Sequence, residues 1–77
     1  MNEFDYAAPA ELFAGHGRAG LRYRRFARSA EAIRYAVEKL PTDALPVAAI
    51  EVADERYDGA QIRALYDSAS YPLPRRK

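Results

Sequence analysis

The sequence predicts a small α+β protein with a single domain over residues 1–77, a short sheet and the element order strand, helix, strand, helix. Three observations support this fold class. A chain of 77 residues is long enough for one hydrophobic core and too short for two. Two segments place apolar residues three and four positions apart, as helices do. Two shorter segments have the alternation or the apolar composition that is typical of strands.

An N-terminal arm and a glycine-rich loop, residues 1–20, precede these elements and give a weaker pattern. Phe4 and Tyr6 alternate with acidic residues, which suits a short strand or an arm laid over the core. Residues 9–15 predict one helical turn, because a proline stands at its first position and a glycine closes it. Two strands alone form a marginal sheet, so either the arm supplies a third strand or a second copy of the chain completes the sheet.

The first predicted strand covers residues 21–26, where Tyr23 alternates with Arg22 and Arg24. Phe26 falls on the arginine side, so the alternation breaks at the end of the strand. If the two predicted strands are parallel neighbours, the helix between them makes a right-handed crossover.

The first predicted helix runs from Ser29 to Leu40. Ser29 is a favourable N-cap, and Pro41 disfavours helical geometry at the residue before it. The apolar stripe of this helix consists of Ile33, Ala36, Val37 and Leu40.

The second strand is predicted at residues 47–53, and residues 54–57 predict a polar connection to the second helix. Asp58 and Gln61 have the spacing of a capping box, which places the start of that helix at Asp58. Its apolar stripe consists of Ile62, Leu65, Tyr66 and Ala69.

The C-terminal residues 71–77 predict a flexible basic tail. Two prolines prevent the helix from continuing, and the last three residues are all basic. Tyr71 and Leu73 are the residues of this segment that can pack back on the core.

The composition narrows the cellular setting and the chemistry. The chain has no cysteine, which excludes disulfides, thiolate zinc sites and a cysteine nucleophile. Its N-terminus is acidic and lacks the pattern of a signal peptide, and no apolar run approaches the ~20 residues that cross a membrane. We therefore expect a cytoplasmic protein without membrane contact.

The formal net charge of +1 averages strongly charged blocks. Residues 18–28 contain five arginines and no acid, whereas residues 41–60 contain five acids and one arginine. Such segregation is compatible with steering of a partner and also with neutralisation inside the fold.

Three patterns that resemble known sites fail in their context. Residues 15–20 match Gly-x-Gly-x-x-Gly, but a strand follows where a dinucleotide site needs a helix. His16 stands between glycines without further ligands or an orienting partner nearby in sequence. Asp54 begins a segment like a calcium loop, in which Leu65 stands where the bidentate glutamate belongs. We therefore expect no catalytic residue, no cofactor and no metal site, and predict that the protein is not an enzyme.

The arginine-rich strand is the candidate contact surface. Its candidate contact residues are Arg22, Arg24, Arg25, Arg28 and Tyr23. The function we expect is a protein-interaction or regulatory module, in which this strand meets an acidic protein surface. That surface includes residues 51–58 of a second copy, because self-complementary charge blocks suit a symmetric dimer. The alternative is weak nucleic-acid binding through residues 18–28, with phosphate contacts beside stacking rings.

Several blocks of the sequence resemble a group of small uncharacterised alphaproteobacterial proteins. The blocks are residues 10–13, 23–26, 29–38 and 55–76, and the last includes Tyr57-Asp58-Gly59, residues 62–67 and Tyr71-Pro72-Leu73-Pro74. The resemblance covers most of the chain from Ala10 onward. Because the group has no assigned function, the resemblance implies no activity, and no catalytic or binding residue is carried over from it.

Overall fold

The computed structural model describes residues 4–14, 22–40 and 45–74, and within them four strands and two helices form one small α+β domain. The elements are β1 (Ala10–Ala14), β2 (Arg22–Phe26), α1 (Ser29–Glu38), β3 (Ala49–Val52), β4 (Glu55–Asp58) and α2 (Gly59–Asp67). A single 3-10 turn, Leu45–Val47, precedes β3. The predicted fold class is confirmed, and the sheet has two strands more than the pattern predicts.

The sheet has the order β2-β1-β3-β4, and each pair of neighbours is antiparallel. The helical turn expected at residues 9–15 is therefore wrong, because Ala10–Ala14 form a central strand. Since β1 lies between β2 and β3, the two predicted strands run parallel without being neighbours. The N-terminal arm thus supplies a third strand, as one of the two alternatives predicts.

Both helices pack on one face of the sheet. Leu12 of β1 and Ile50 of β3 are buried against fully buried Ile33 of α1 and Ile62 of α2. Alanines make the close approach of α1 possible, because their small side chains let the helix backbone come near the sheet; they are Ala30, Ala32 and Ala36. In the described part of the chain no element covers the opposite face, which we call the open face.

A tight hairpin joins β3 to β4, where the sequence predicts a polar connection. Val52 pairs with Glu55, so only Ala53 and Asp54 form the loop. Both have positive φ, 51° and 69°, as a two-residue type I′ turn requires. The prediction fails because β4 is a polar edge strand and its turn lacks the usual glycine or asparagine.

The predicted N-cap of α1 is wrong by one residue, whereas that of α2 is confirmed. Arg28 occupies the cap position of α1 without a side-chain cap bond, and Ser29 is the buried first helical residue. At α2, the Asp58 carboxylate accepts from the Gln61 N–H at 2.9 Å, and the Gln61 amide oxygen accepts from the Asp58 N–H at 2.9 Å. The segment after α2 returns to the core, since Tyr71 is buried and its hydroxyl donates to the Ala30 carbonyl at 2.8 Å.

Candidate functional site

The arginine-rich strand is β2, and it lies at an edge of the sheet. Because side chains alternate along a strand, its candidate residues divide between the two faces. Arg24 pairs with buried Leu12 and lies on the helix-covered face, whereas Tyr23 and Arg25 lie on the open face. Arg22 belongs to β2 by its backbone, but its side chain is outside the described part.

Arg24 lies against aromatic rings of the helix-covered face. Its guanidinium carbon is 4.8 Å from the ring centroid of Tyr35 on α1 and 5.6 Å from that of Phe26. These are cation–π distances, and Arg24 remains exposed. Tyr35 thus holds the Arg24 guanidinium at the edge of the sheet, where it is accessible to a ligand.

Arg25 and Tyr23 lie beside two residues of β1 on the open face. The Arg25 side chain is 74% exposed and forms a long ion pair with Glu11, with Nε and Oε2 at 3.8 Å. The Tyr23 ring lies 5.2 Å from the Phe13 ring, centroid to centroid. Desolvation raises the pKa of Tyr23, and the nearby Glu11 carboxylate raises it further. The phenol therefore stays neutral and presents an exposed ring.

The open face carries two ordered rows of side chains across the four strands. The charged row is Arg25, Glu11, Glu51 and Arg56. The second row is Tyr23, Phe13, Ala49 and Asp58, of which the first two are aromatic. The two ion pairs of this row differ in length: Nη1 of Arg56 lies 2.6 Å from Oε2 of Glu51, whereas Arg25 and Glu11 are 3.8 Å apart. The Arg56 guanidinium also lies 5.3 Å from the Phe13 centroid. The charged row is therefore balanced within itself, with its cations outermost.

Arg28 follows β2 and pairs with α1. Its guanidinium donates to the Glu31 carboxylate at 3.0 Å, and the arginine side chain remains 55% exposed. A surface pair of this kind contributes little to stability, so Arg28 is free to exchange partners.

The acidic segment and the arginine-rich strand lie towards opposite edges of the sheet. Residues 51–58 form most of the β3–β4 hairpin, and β4 is the other edge strand. Three strand spacings, about 14 Å, separate β2 from β4. The blocks therefore do not neutralise each other across one sheet, although Glu11 and Glu31 partly balance the arginines.

Of the patterns set aside in the sequence, only the segment like a calcium loop lies in the described part of the chain. The glycine-rich loop and His16 lie outside the described residues. Asp54 lies in the hairpin turn and Asp58 caps α2, so a calcium loop does not form. Within residues 4–14, 22–40 and 45–74, no three His, Cys, Asp or Glu side chains come together as metal ligands. None of the helices described there is long and apolar enough to cross a membrane.

Two residues of the site, Phe13 and Tyr35, are not among the contact residues predicted from the sequence. Phe26 lies on the same face as Arg24, as the alternation predicts, and its ring contacts Tyr35. The signal for Phe13 is the alternation of Glu11 and Phe13 with the buried residues of β1.

Comparisons with family models, with curated proteins and with solved structures find no match to this chain. The resemblance to the alphaproteobacterial group therefore stays a prediction, and the function has to be argued from the geometry of β2 and its neighbours.

Proposed function

We propose that the protein is a non-enzymatic interaction module of the cytoplasm, which takes an extended acidic segment of a partner protein as a fifth strand along β2. One observation carries the proposal: the strand with the highest density of positive charge is an edge strand. An edge strand presents unpaired N–H and C=O groups to which another chain can add. The absence of cysteine from the chain supports the cytoplasmic setting.

The arrangement of the arginines selects the charge of the added strand. Arg24 and Arg25 project to opposite faces, so an added strand meets a guanidinium on each of its two sides. Two adjacent acidic residues in the partner would satisfy both cations. Each opposite-charge pair across neighbouring strands contributes about 0.2–1 kcal/mol.

The same arrangement disfavours a symmetric dimer through β2. An antiparallel pairing of two copies centred on Arg24 places this arginine opposite itself, and like charges directly opposite are destabilising. The acidic hairpin of a second copy lies at the far edge of its own sheet, so one contact between β2 and β4 is head-to-tail and leaves the other β2 and the other β4 unpaired. A separate acidic partner therefore fits β2 better than a second copy does.

A peptide titration tests the proposal. The probe is an acetylated and amidated hexapeptide, Thr-Val-Glu-Glu-Val-Thr, added to isotope-labelled protein while backbone amide resonances are recorded by NMR. We expect saturable shifts along β2 and β1, small shifts along β4, and weaker binding at high salt. The Lys-Lys counterpart of the peptide should not bind.

Two variants make the test specific. Arg24→Glu with Arg25→Glu should abolish binding, whereas Arg63→Glu, which breaks an exposed ion pair with Asp67 on α2, should leave it intact. Equal shifts with the Glu-Glu and Lys-Lys peptides, or no shift along β2 at millimolar peptide, would reject the proposal.

Single-stranded nucleic acid is the second candidate ligand, and the ring pair of Tyr23 and Phe13 favours it. Tyr23 is 52% exposed, and Arg25 and Arg56 flank the two rings, so bases could stack while phosphates contact the guanidinia. The balanced charged row argues against strong phosphate attraction.

Fluorescence anisotropy with a labelled ten-nucleotide single strand at low salt separates the two candidates. Binding that Tyr23→Leu abolishes, together with no response to the acidic hexapeptide, would replace the first proposal by the second. Val47→Ala is the matched control, because Val47 is equally exposed at 53% and lies outside β2.

A further inference from the structure

The N-terminal residues 4–9, which we call the N-terminal clamp, supply the cap that α1 lacks. The Ser29 N–H donates to the Ala8 carbonyl at 2.6 Å, and the Ala30 N–H donates to the Tyr6 carbonyl at 3.0 Å. The Ser29 hydroxyl donates to the Asp5 carbonyl at 2.8 Å. Two of the N–H groups that a helix start leaves unpaired are thus satisfied by a distant part of the chain.

The clamp also contains hydrogen bonds within itself. The Asp5 carboxylate accepts from the Ala7 N–H at 2.9 Å, and the Asp5 carbonyl accepts from the Ala8 N–H at 3.2 Å. These bonds close a local turn, in which aspartate mimics a backbone carbonyl. Three carbonyl groups of this turn are thereby presented together to the start of α1.

Aromatic contacts fasten the clamp to the rest of the domain. Phe4 lies edge-on to Tyr57 of β4 with centroids 5.1 Å apart, and Tyr6 lies edge-on to Tyr71 at 5.6 Å. The Tyr6 hydroxyl also donates to the Leu65 carbonyl of α2 at 2.9 Å. The clamp therefore joins the start of α1 to α2 and β4.

The packing around Phe4 is open on both sides. A groove of about 630 Å³ lies between Phe4, Val52 and Tyr57, and another of about 370 Å³ lies between Phe4, Leu65 and Ser68. Phe4 and Tyr6 are only half-buried and lie beside these grooves, so we expect their attachment to be weaker than the packing of the buried central strands.

We infer that the N-terminal clamp opens as a unit while the sheet stays folded, and that its closed state holds β2 ready for a partner. Only Ala27 and Arg28 separate the end of β2 from Ser29, the residue that the clamp holds by two hydrogen bonds. Opening of the clamp therefore releases the start of α1, and it loosens the link that follows β2 without breaking the pairing of Phe26 with Ala10. This second part rests on the proposed binding of an acidic strand at β2.

Native-state hydrogen exchange of the full chain tests the first part. We expect the Ser29 and Ala30 amides to exchange at least tenfold faster than the Leu12 and Ile50 amides of the central strands. Tyr6→Phe removes one hydrogen bond from the closed state and should lower the protection of Ser29 and Ala30 about fivefold. The central strands should lose no more than this factor, because global unfolding breaks the same bond, and they should stay the better protected. Equal protection of all four amides would overturn the inference.

A control variant and a ligand complete the experiment. Val47→Ala changes an exposed side chain in the 3-10 turn, outside both the clamp and β2, and should not change the protection of Ser29 and Ala30. The acidic hexapeptide at ten times its Kd should raise that protection about tenfold, because it binds the closed state. Hydrogen exchange without peptide measures the opening of the clamp alone. A peptide that fails to bind therefore rejects the proposed function but does not affect the test of clamp opening. A peptide that binds without raising protection rejects the coupling.

Discussion

Replacement of Ala53 by glycine should stabilise the protein, because the β3–β4 turn holds Ala53 in a conformation that only glycine adopts without strain. Its φ of 51° lies in the left-handed region, which costs an L-residue about 1–2 kcal/mol. Glycine loses about 0.5–1 kcal/mol of this gain through the greater freedom of the unfolded chain. Ala53 is exposed, so the lost methyl group removes no core contact. The expected net gain in the free energy of unfolding is about 0.7 kcal/mol.

Thermal and urea denaturation followed by circular dichroism measure this gain. For a domain of this size the melting temperature should rise by about 3–5 °C. Ala64→Gly is the matched control, since Ala64 is exposed within α2 and the same change there should cost about 1 kcal/mol. If Ala53→Gly and Ala64→Gly destabilise the protein equally, the strained two-residue turn is refuted.

Three further outcomes test the core and the helix start. Asp58→Ala should lower the free energy of unfolding by about 1 kcal/mol in urea denaturation, while Asp58→Asn keeps most of it, because asparagine also caps. Ile33→Ala should cost about 3 kcal/mol and Ile33→Val about 1 kcal/mol, and a fully buried site that tolerated both would contradict the packing. Burial raises the pKa of Tyr71 to about 12 from 10.0, so the folded state keeps a proton that the unfolded chain loses. Stability should therefore fall between pH 10 and 12, and Tyr71→Phe should remove this part of the alkaline slope.

The helices and β2 could be predicted from the sequence because each carries its own periodic signal. Helix α2 also has a local start signal in Asp58 and Gln61, whereas the start of α1 depends on the clamp, which is more than twenty residues away in sequence. Serine is a favourable N-cap residue, but the buried Ser29 hydroxyl donates to the Asp5 carbonyl and does not cap α1. Hydrogen bonds from the clamp thus take the place of a side-chain cap at α1, and a sequence pattern within the helix cannot predict such a distant contact.

The strands β1 and β4 were missed for two different physical reasons. In β1 the buried positions are Ala10, Leu12 and Ala14, and alanine gives a faint alternation between a proline and a glycine that suggest a helical turn. Its strand conformation is imposed by neighbours on both sides. In β4 one face is open and the strand is an edge, so its residues are nearly all polar.

The candidate site depends on those two missed strands. A sheet of two strands would leave both of them at an edge, and the acidic segment would lie next to the arginine-rich strand. Insertion of β1 and addition of β4 move the acidic hairpin to the opposite edge, so charge that is segregated along the chain becomes segregated across the sheet. Under the proposed function, an acidic segment that approaches in the plane of the sheet would be attracted to β2 and repelled by Glu55 and Asp58 at β4. The charge distribution would then orient the proposed partner before any backbone pairing forms, so a net charge of +1 is compatible with a directional electrostatic surface.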